Sequence, residues 1–81
     1  MSNEHWNYRI MRHIHENGEI QFSIHEVYYS DDEVIGWTDN PADMTTFDED
    51  GLPTEAMKKA FSMMQTALDK PILNFDTGEE L

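Results

Sequence analysis

Four groups of side chains in this sequence carry chemistry beyond packing: three histidines, an arginine with a glutamate, a run of acids, and a set of aromatics. His13 and His25 lie in stretches that alternate polar and apolar residues, and His15 follows on the same side as His13. Neutral imidazoles bind transition metals, but zinc asks for three or four convergent ligands in fixed geometry. Two or three imidazoles beside Gln21 and Ser23 fall short of that set. The histidines are therefore read as part of a solvated polar sheet face. A weak or adventitious metal site is the alternative, and a partner contact sensitive to mild acid is a third reading.

Arg12 and Glu26 are expected on the apolar side of neighbouring strands, within diagonal reach of one another. Two charges at such a place must pair, and the pair can cost as much as it returns. They are read as a structural polar pair. A catalytic acid is the competing reading, but nothing nearby supplies a nucleophile or a second carboxylate with a distinct role. The segment Asp48-Glu49-Asp50-Gly51 hints at a calcium loop. An EF-hand starting at Asp48 would need glycine where Pro53 stands and an oxygen ligand where Leu52 stands, so the match fails. No glycine-rich phosphate loop, serine elbow or zincin motif occurs, and no cofactor is expected. Trp6, Tyr8, Tyr28, Tyr29 and Trp37 gather at one end of the expected sheet. Packing is their default role. Beside the acids they can instead form a contact surface with aromatic anchors, Tyr29 being the member expected to face outward.

The elements that must position these groups follow from periodicity. Residues 6–14 alternate with the period of a strand, as do residues 20–29, and Asn17-Gly18 between them signals a hairpin. A three-residue loop Asn17-Gly18-Glu19 pairs Ile14 with Phe22, Arg12 with Ile24, Ile10 with Glu26 and Tyr8 with Tyr28. That register collects Trp6, Tyr8, Ile10, Ile14, Phe22, Ile24 and Tyr28 on one apolar face. Asp31-Asp32-Glu33 forms the next turn, residues 34–38 a third strand, and Pro41 helps to end it. Residues 39–52 read as an irregular connection tucked in by Met44 and Phe47. A helix begins at Pro53 or Thr54, with an apolar stripe through Met57, Ala60, Phe61, Met64 and Leu68, and stops before Pro71. Ile72-Leu73-Asn74-Phe75 is a short fourth strand or a docked tail. The fold class is α+β: an antiparallel three-stranded sheet whose apolar face is covered by one C-terminal helix. Residues 1–81 make a single domain, with 1–5 and 77–81 expected to fray.

Composition narrows the function. No cysteine is present, so disulfides and thiolate sites are excluded. The first residues lack a basic start and an apolar run, and no stretch approaches the ~20 apolar residues of a membrane span, so a cytoplasmic protein is expected. The formal charge is −12, from 17 acids against 5 bases. Residues 31–55 hold nine of those acids and no base. Disorder does not fit, because the 38% hydrophobic content is organised in strand and helix periods. Direct binding to nucleic acid needs clustered Lys and Arg, which are absent.

The run Ile24-His25-Glu26-Val27-Tyr28-Tyr29, then Gly36-Trp37-Thr38, Asn40-Pro41 and a terminal Ala67-Leu68-Asp69-Lys70-Pro71 resembles a family of small uncharacterised bacterial proteins. That family joins an I-x-E-V-Y-Y strand to a W-T segment and a helix ending in K-P. The resemblance spans roughly residues 8–73. This chain departs from the pattern by carrying Asp31-Asp32-Glu33 where a glycine is usual. The resemblance supports the element boundaries and brings no residue roles.

The functional expectation is a non-enzymatic interaction or regulatory module that docks on a basic protein. Its surface would be Asp31, Asp32, Glu33, Asp39, Asp43, Asp48, Glu49 and Asp50 with Tyr29. A one-signed field steers encounter and rejects like-charged partners. A nucleic-acid mimic is the sharper form of this reading. The alternatives are an accessory domain that the charge merely keeps soluble, and a small enzyme using Arg12 and Glu26 or the histidine face. A homodimer through an open sheet edge also fits.

Overall fold

Two eleven-residue stretches of alternating sequence build a long antiparallel hairpin, and the rest of the chain is arranged around it. In a computed structural model, which describes residues 3–43 and 53–81, the strands are β1 (Glu4–Ile14), β2 (Ile20–Ser30), β3 (Glu33–Trp37) and β4 (Leu73–Asn74). Helix α1 (Pro53–Gln65) runs into a 3-10 turn at Thr66–Asp69. The strand order is β3-β2-β1-β4. β1 pairs antiparallel with β2 and β2 with β3, whereas β4 lies parallel to β1. The fold is thus α+β, and the expected short terminal strand turns the sheet from antiparallel to mixed.

The hairpin register differs from expectation by two residues: Ile14 faces Ile20, Arg12 faces Phe22, Ile10 faces Ile24 and Tyr8 faces Glu26. The loop is Glu16-Asn17-Gly18, closed by His15 N–H to Glu19 O at 2.9 Å and Gly18 N–H to His15 O at 2.9 Å. Gly18 takes the positive φ of 90° that the loop needs. Because side chains alternate with a period of two, a two-residue shift changes every neighbour and no face. The β2–β3 turn places Asp31 at φ 50° and Asp32 at φ 69°. Short Asx side chains tolerate that region, which explains how a hairpin turn forms without glycine.

The larger correction concerns which face is buried. Of the expected core face, Trp6, Ile14, Phe22 and Tyr28 are exposed, as is Ile20 beside them, and Tyr8, Ile10 and Ile24 are only half-buried. The buried cluster is Met11, Val27, Tyr29 and Leu73, with Val34, Trp37 and Phe75 packed against it. These strand residues belong to the opposite, more polar face. What closes it is the C-terminal segment. Leu73 pairs with Met11, Phe75 N–H donates to Arg12 O at 2.9 Å, and Gly78 reaches the Trp37 ring. The tail expected to fray is held by Asn74 N–H to Glu79 O at 2.8 Å and Leu81 N–H to Ile72 O at 2.9 Å. At the other terminus Asn3 N–H donates to the Asp31 carboxylate at 2.8 Å, and Glu4 and His5 already belong to β1.

Helix α1 and the 3-10 turn make contacts with β1. Among the described residues of these two elements only Met64 and Ala67 are buried, while Met57, Phe61 and Leu68 remain exposed. The helix therefore does not cover the apolar sheet face in the way its stripe suggested. No helix among the described residues is long and apolar enough to cross a membrane.

Candidate functional site

The buried polar face holds a directed line of hydrogen bonds. The Thr38 carbonyl can only accept, so His25 Nδ1 donates to it at 2.9 Å. That leaves His25 Nε2 as the acceptor for the Ser23 hydroxyl at 2.8 Å. Gln21 Nε2 donates to Ser23 Oγ at 3.1 Å, and His15 Nε2 donates to Gln21 Oε1 at 2.7 Å. His25 is 1% exposed, and His13 stacks on Phe75 with centroids 4.2 Å apart. The histidines expected on a solvated face are thus built into the packing beneath the C-terminal tail. Among the described residues no group of three or more His, Cys, Asp or Glu side chains is placed to hold a metal ion.

Arg9 is the other polar group in this layer. Its guanidinium donates to the Tyr29 hydroxyl at 3.0 Å and to the Pro71 carbonyl at 2.6 Å, with Glu80 at 3.8 Å. Tyr29, expected to face outward, is buried at 6% exposure and stacks on His5 with centroids 4.7 Å apart. It is a structural residue and leaves the candidate surface. The expected diagonal contact of Arg12 with Glu26 is not made. Arg12 stands opposite Phe22 and Glu26 opposite Tyr8, four residues apart along β2.

A hollow of about 840 Å³ lies beside His13, His15 and Gln21, and a second concave site lies where the chain leaves β3. Thr38 N–H donates to Glu26 O at 3.1 Å and Ala42 N–H to Ile24 O at 2.8 Å. Those two bonds pin a short arch against the edge of β2, and Asp39, Asn40 and Pro41 bow outward between them. Proline in the arch has no N–H to leave unpaired. The arch forms one wall of a cleft of about 650 Å³, and Tyr8, Glu26, Tyr28 and Trp37 line the sheet side. Asp39 and Asp43 add carboxylates on the outer side.

Glu26 is the centre of the cleft's electrostatics. The Tyr28 hydroxyl donates to its carboxylate at 3.3 Å. The Tyr8 hydroxyl is pushed above its ordinary pKa of 10.0, first by burial and then by the Glu26 charge. Tyr28 is raised as well, by desolvation, by the same charge and by its hydrogen bond. Among the described residues the ion pairs are Arg9–Glu80 and Lys58–Glu55, so Glu26 has no basic partner. A carboxylate between aromatic rings, with no basic partner among the described residues, is chemically a receptor for a cation.

The acids singled out from sequence fall into separate places. Asp31, Asp32 and Glu33 are exposed at the β2–β3 turn, and Asp39 and Asp43 are exposed at the cleft, beyond the other end of β3. A five-residue strand separates the two groups, roughly 16 Å at the usual rise. Asp48, Glu49 and Asp50 lie outside the described residues. Sequence reasoning placed Glu26 in a structural pair and missed its position in the cleft. The available signal was Asn40-Pro41 following Trp37-Thr38, a break that returns the chain to the edge of β2. Comparison with known proteins brings no relative: no family model, curated protein or solved structure matches the chain.

Proposed function

We propose that this chain is a non-enzymatic protein-binding module whose acid-and-aromatic cleft receives a basic side chain of a partner protein. The observation that carries the reading is Glu26, a carboxylate set between Tyr8 and Tyr28 with Asp39 and Asp43 in the opposite wall and no base of its own among the described residues. An arginine or lysine entering the cleft meets a charged acceptor and the faces of aromatic rings together. The formal charge of −12 adds long-range steering toward basic surfaces. Separation of Asp31, Asp32 and Glu33 from Asp39 and Asp43 by the length of β3 favours a local basic contact over a continuous phosphate-like track through these five acids.

Trp37 lines the cleft and reports its occupation by fluorescence. Titration with a short lysine- and arginine-rich peptide should give saturable binding that weakens steeply as salt is raised. Glu26→Gln should weaken it by roughly 10- to 150-fold, the loss of a hydrogen bond to a charged group worth about 1.5–3 kcal/mol. Binding indifferent to both salt and Glu26→Gln would overturn the reading.

A further inference from the structure

The loop that joins β1 to β2 places an asparagine and a glycine in reacting order. Asn17 and Gly18 are both exposed. Asn17 Oδ1 accepts the Glu19 N–H at 3.0 Å, which turns the side-chain amide back over its own peptide link to Gly18. Gly18 has φ 90°, and even an added Cβ would meet nothing within 4 Å, so the space around this residue is open.

From this geometry we infer that Asn17 is a modification site, independently of whatever the cleft binds. It converts without an enzyme to a mixture of aspartate and isoaspartate, by way of a cyclic imide formed with Gly18. The Gly18 N–H first leaves its bond to the His15 carbonyl, a single contact of 2.9 Å in an exposed loop. A base from solvent removes the proton, and the Gly18 nitrogen attacks Asn17 Cγ. Negative charge develops on Oδ1, the atom that the Glu19 N–H already holds, and a donor aimed at developing charge lowers the barrier. The new N–C bond closes a five-membered imide as the C–N bond of the side-chain amide breaks. That nitrogen takes up a proton and leaves as ammonia. Water then adds to one of the two imide carbonyls and reopens the ring. Attack at the side-chain carbonyl gives aspartate, and attack at the main-chain carbonyl gives isoaspartate. Overall an amide and a water become a carboxylate and an ammonium ion, with no change of oxidation state.

The other asparagines lack this combination. Asn3, Asn7 and Asn74 are followed by Glu4, Tyr8 and Phe75, whose side chains crowd the attacking nitrogen. Asn40 is followed by Pro41, whose nitrogen has no proton to lose. Asn74 is the informative comparison. Its Oδ1 accepts the Asp76 N–H at 2.7 Å in the same kind of turn, but the Phe75 N–H is tied to the Arg12 carbonyl on β1 at 2.9 Å. The same side-chain bond is therefore present at both places, and the free glycine nitrogen at one. Modification adds a negative charge between Glu16 and Glu19, to a chain whose formal charge is already −12. Isoaspartate also puts one extra carbon into the main chain, inside the two backbone bonds that close the loop.

Incubation of the full folded chain at mildly alkaline pH, followed by intact mass and by peptide fragmentation, tests this. The chain should gain the single mass unit that separates a carboxyl from an amide, localised to Asn17. Isoaspartate should be among the products, and the rate should rise with pH. Asn17→Ser keeps an oxygen to accept the Glu19 N–H and should show no gain. Gly18→Ala should lose most of the gain, and Asn17→Ser carries the test if the positive φ prevents that variant from folding. A folded wild type that gains no mass, or that gains it first at Asn74, overturns the inference. Aspartate formed without isoaspartate, or a folded Gly18→Ala that reacts as fast as the wild type, overturns it as well.

Discussion

At the scale of the residue, the chemistry of this protein is decided by which polar groups are satisfied inside the chain and which are not. Arg9, His25, Ser23 and Gln21 are buried or half-buried, and each has partners within hydrogen-bond distance. Those bonds, made by all but Arg9 Nε among the polar atoms of these four side chains that are fully buried, are what let a polar face serve as the interior, since unpaired buried groups are the costly ones. Glu26 is the contrasting case, with a tyrosine hydroxyl at 3.3 Å and no cation. Its charge is one reason that Tyr8 and Tyr28 hold their protons above the ordinary value of 10.0, after the effect of burial. An ultraviolet titration of tyrosinate should therefore show two groups ionising above that value, and Glu26→Gln should move both back toward it. Because these folded-state values are raised, the stabilisation they contribute is fully present below the unfolded value. It is lost as pH climbs through the folded ones. Stability should accordingly fall on the alkaline side, beginning above pH 10 and less steeply in Glu26→Gln. Two tyrosines titrating at the ordinary value in the wild type would remove Glu26 from the centre of the cleft.

At the scale of the element, the C-terminal segment after Pro71 does what the helix was expected to do. It adds β4 to the edge of the sheet, lays Phe75 over His13, His25 and Trp37, and brings Gly78 against Trp37. Gly78 has φ 76°, and a Cβ there would lie 2.5 Å from the Trp37 ring. Gly78→Ala should cost about 2–4 kcal/mol, combining a left-handed backbone penalty with overpacking. That is a large share of the stability of a small domain, visible as a lower urea midpoint.

Much at this scale was legible in the residues themselves. Alternation marked both long strands, Asn17-Gly18 marked the hairpin, and Pro53 and Pro71 bracketed the helix. The register was not legible, because Gly18 can serve a loop beginning at Glu16 as well as one beginning at Asn17. Nor was the buried face. Counting apolar residues favours Trp6, Ile14, Phe22 and Tyr28, whereas burial of the other face depends on Leu73 and Phe75, some fifty to sixty residues away from their strand partners. The cleft was legible only as a break in the chain at Asn40-Pro41, since its other wall comes from the register.

At the scale of the whole molecule, the consequence is a chain with two sheet faces of unequal fate. The more polar one is closed by the protein's own tail, with Met11 and Val27 fully buried. The more apolar one is left open, with Glu4, Arg12 and Glu26 among its charges and an acid-lined cleft at its border. This inversion is the ground on which the cleft rests. Hydroxyl-radical labelling read residue by residue tests it most directly. In dilute solution, Phe22, Ile20 and Trp6 should label rapidly while Met11 and Tyr29 stay protected. Rapid labelling of Met11 and Tyr29 with Phe22 and Trp6 protected under dilute conditions would contradict the account.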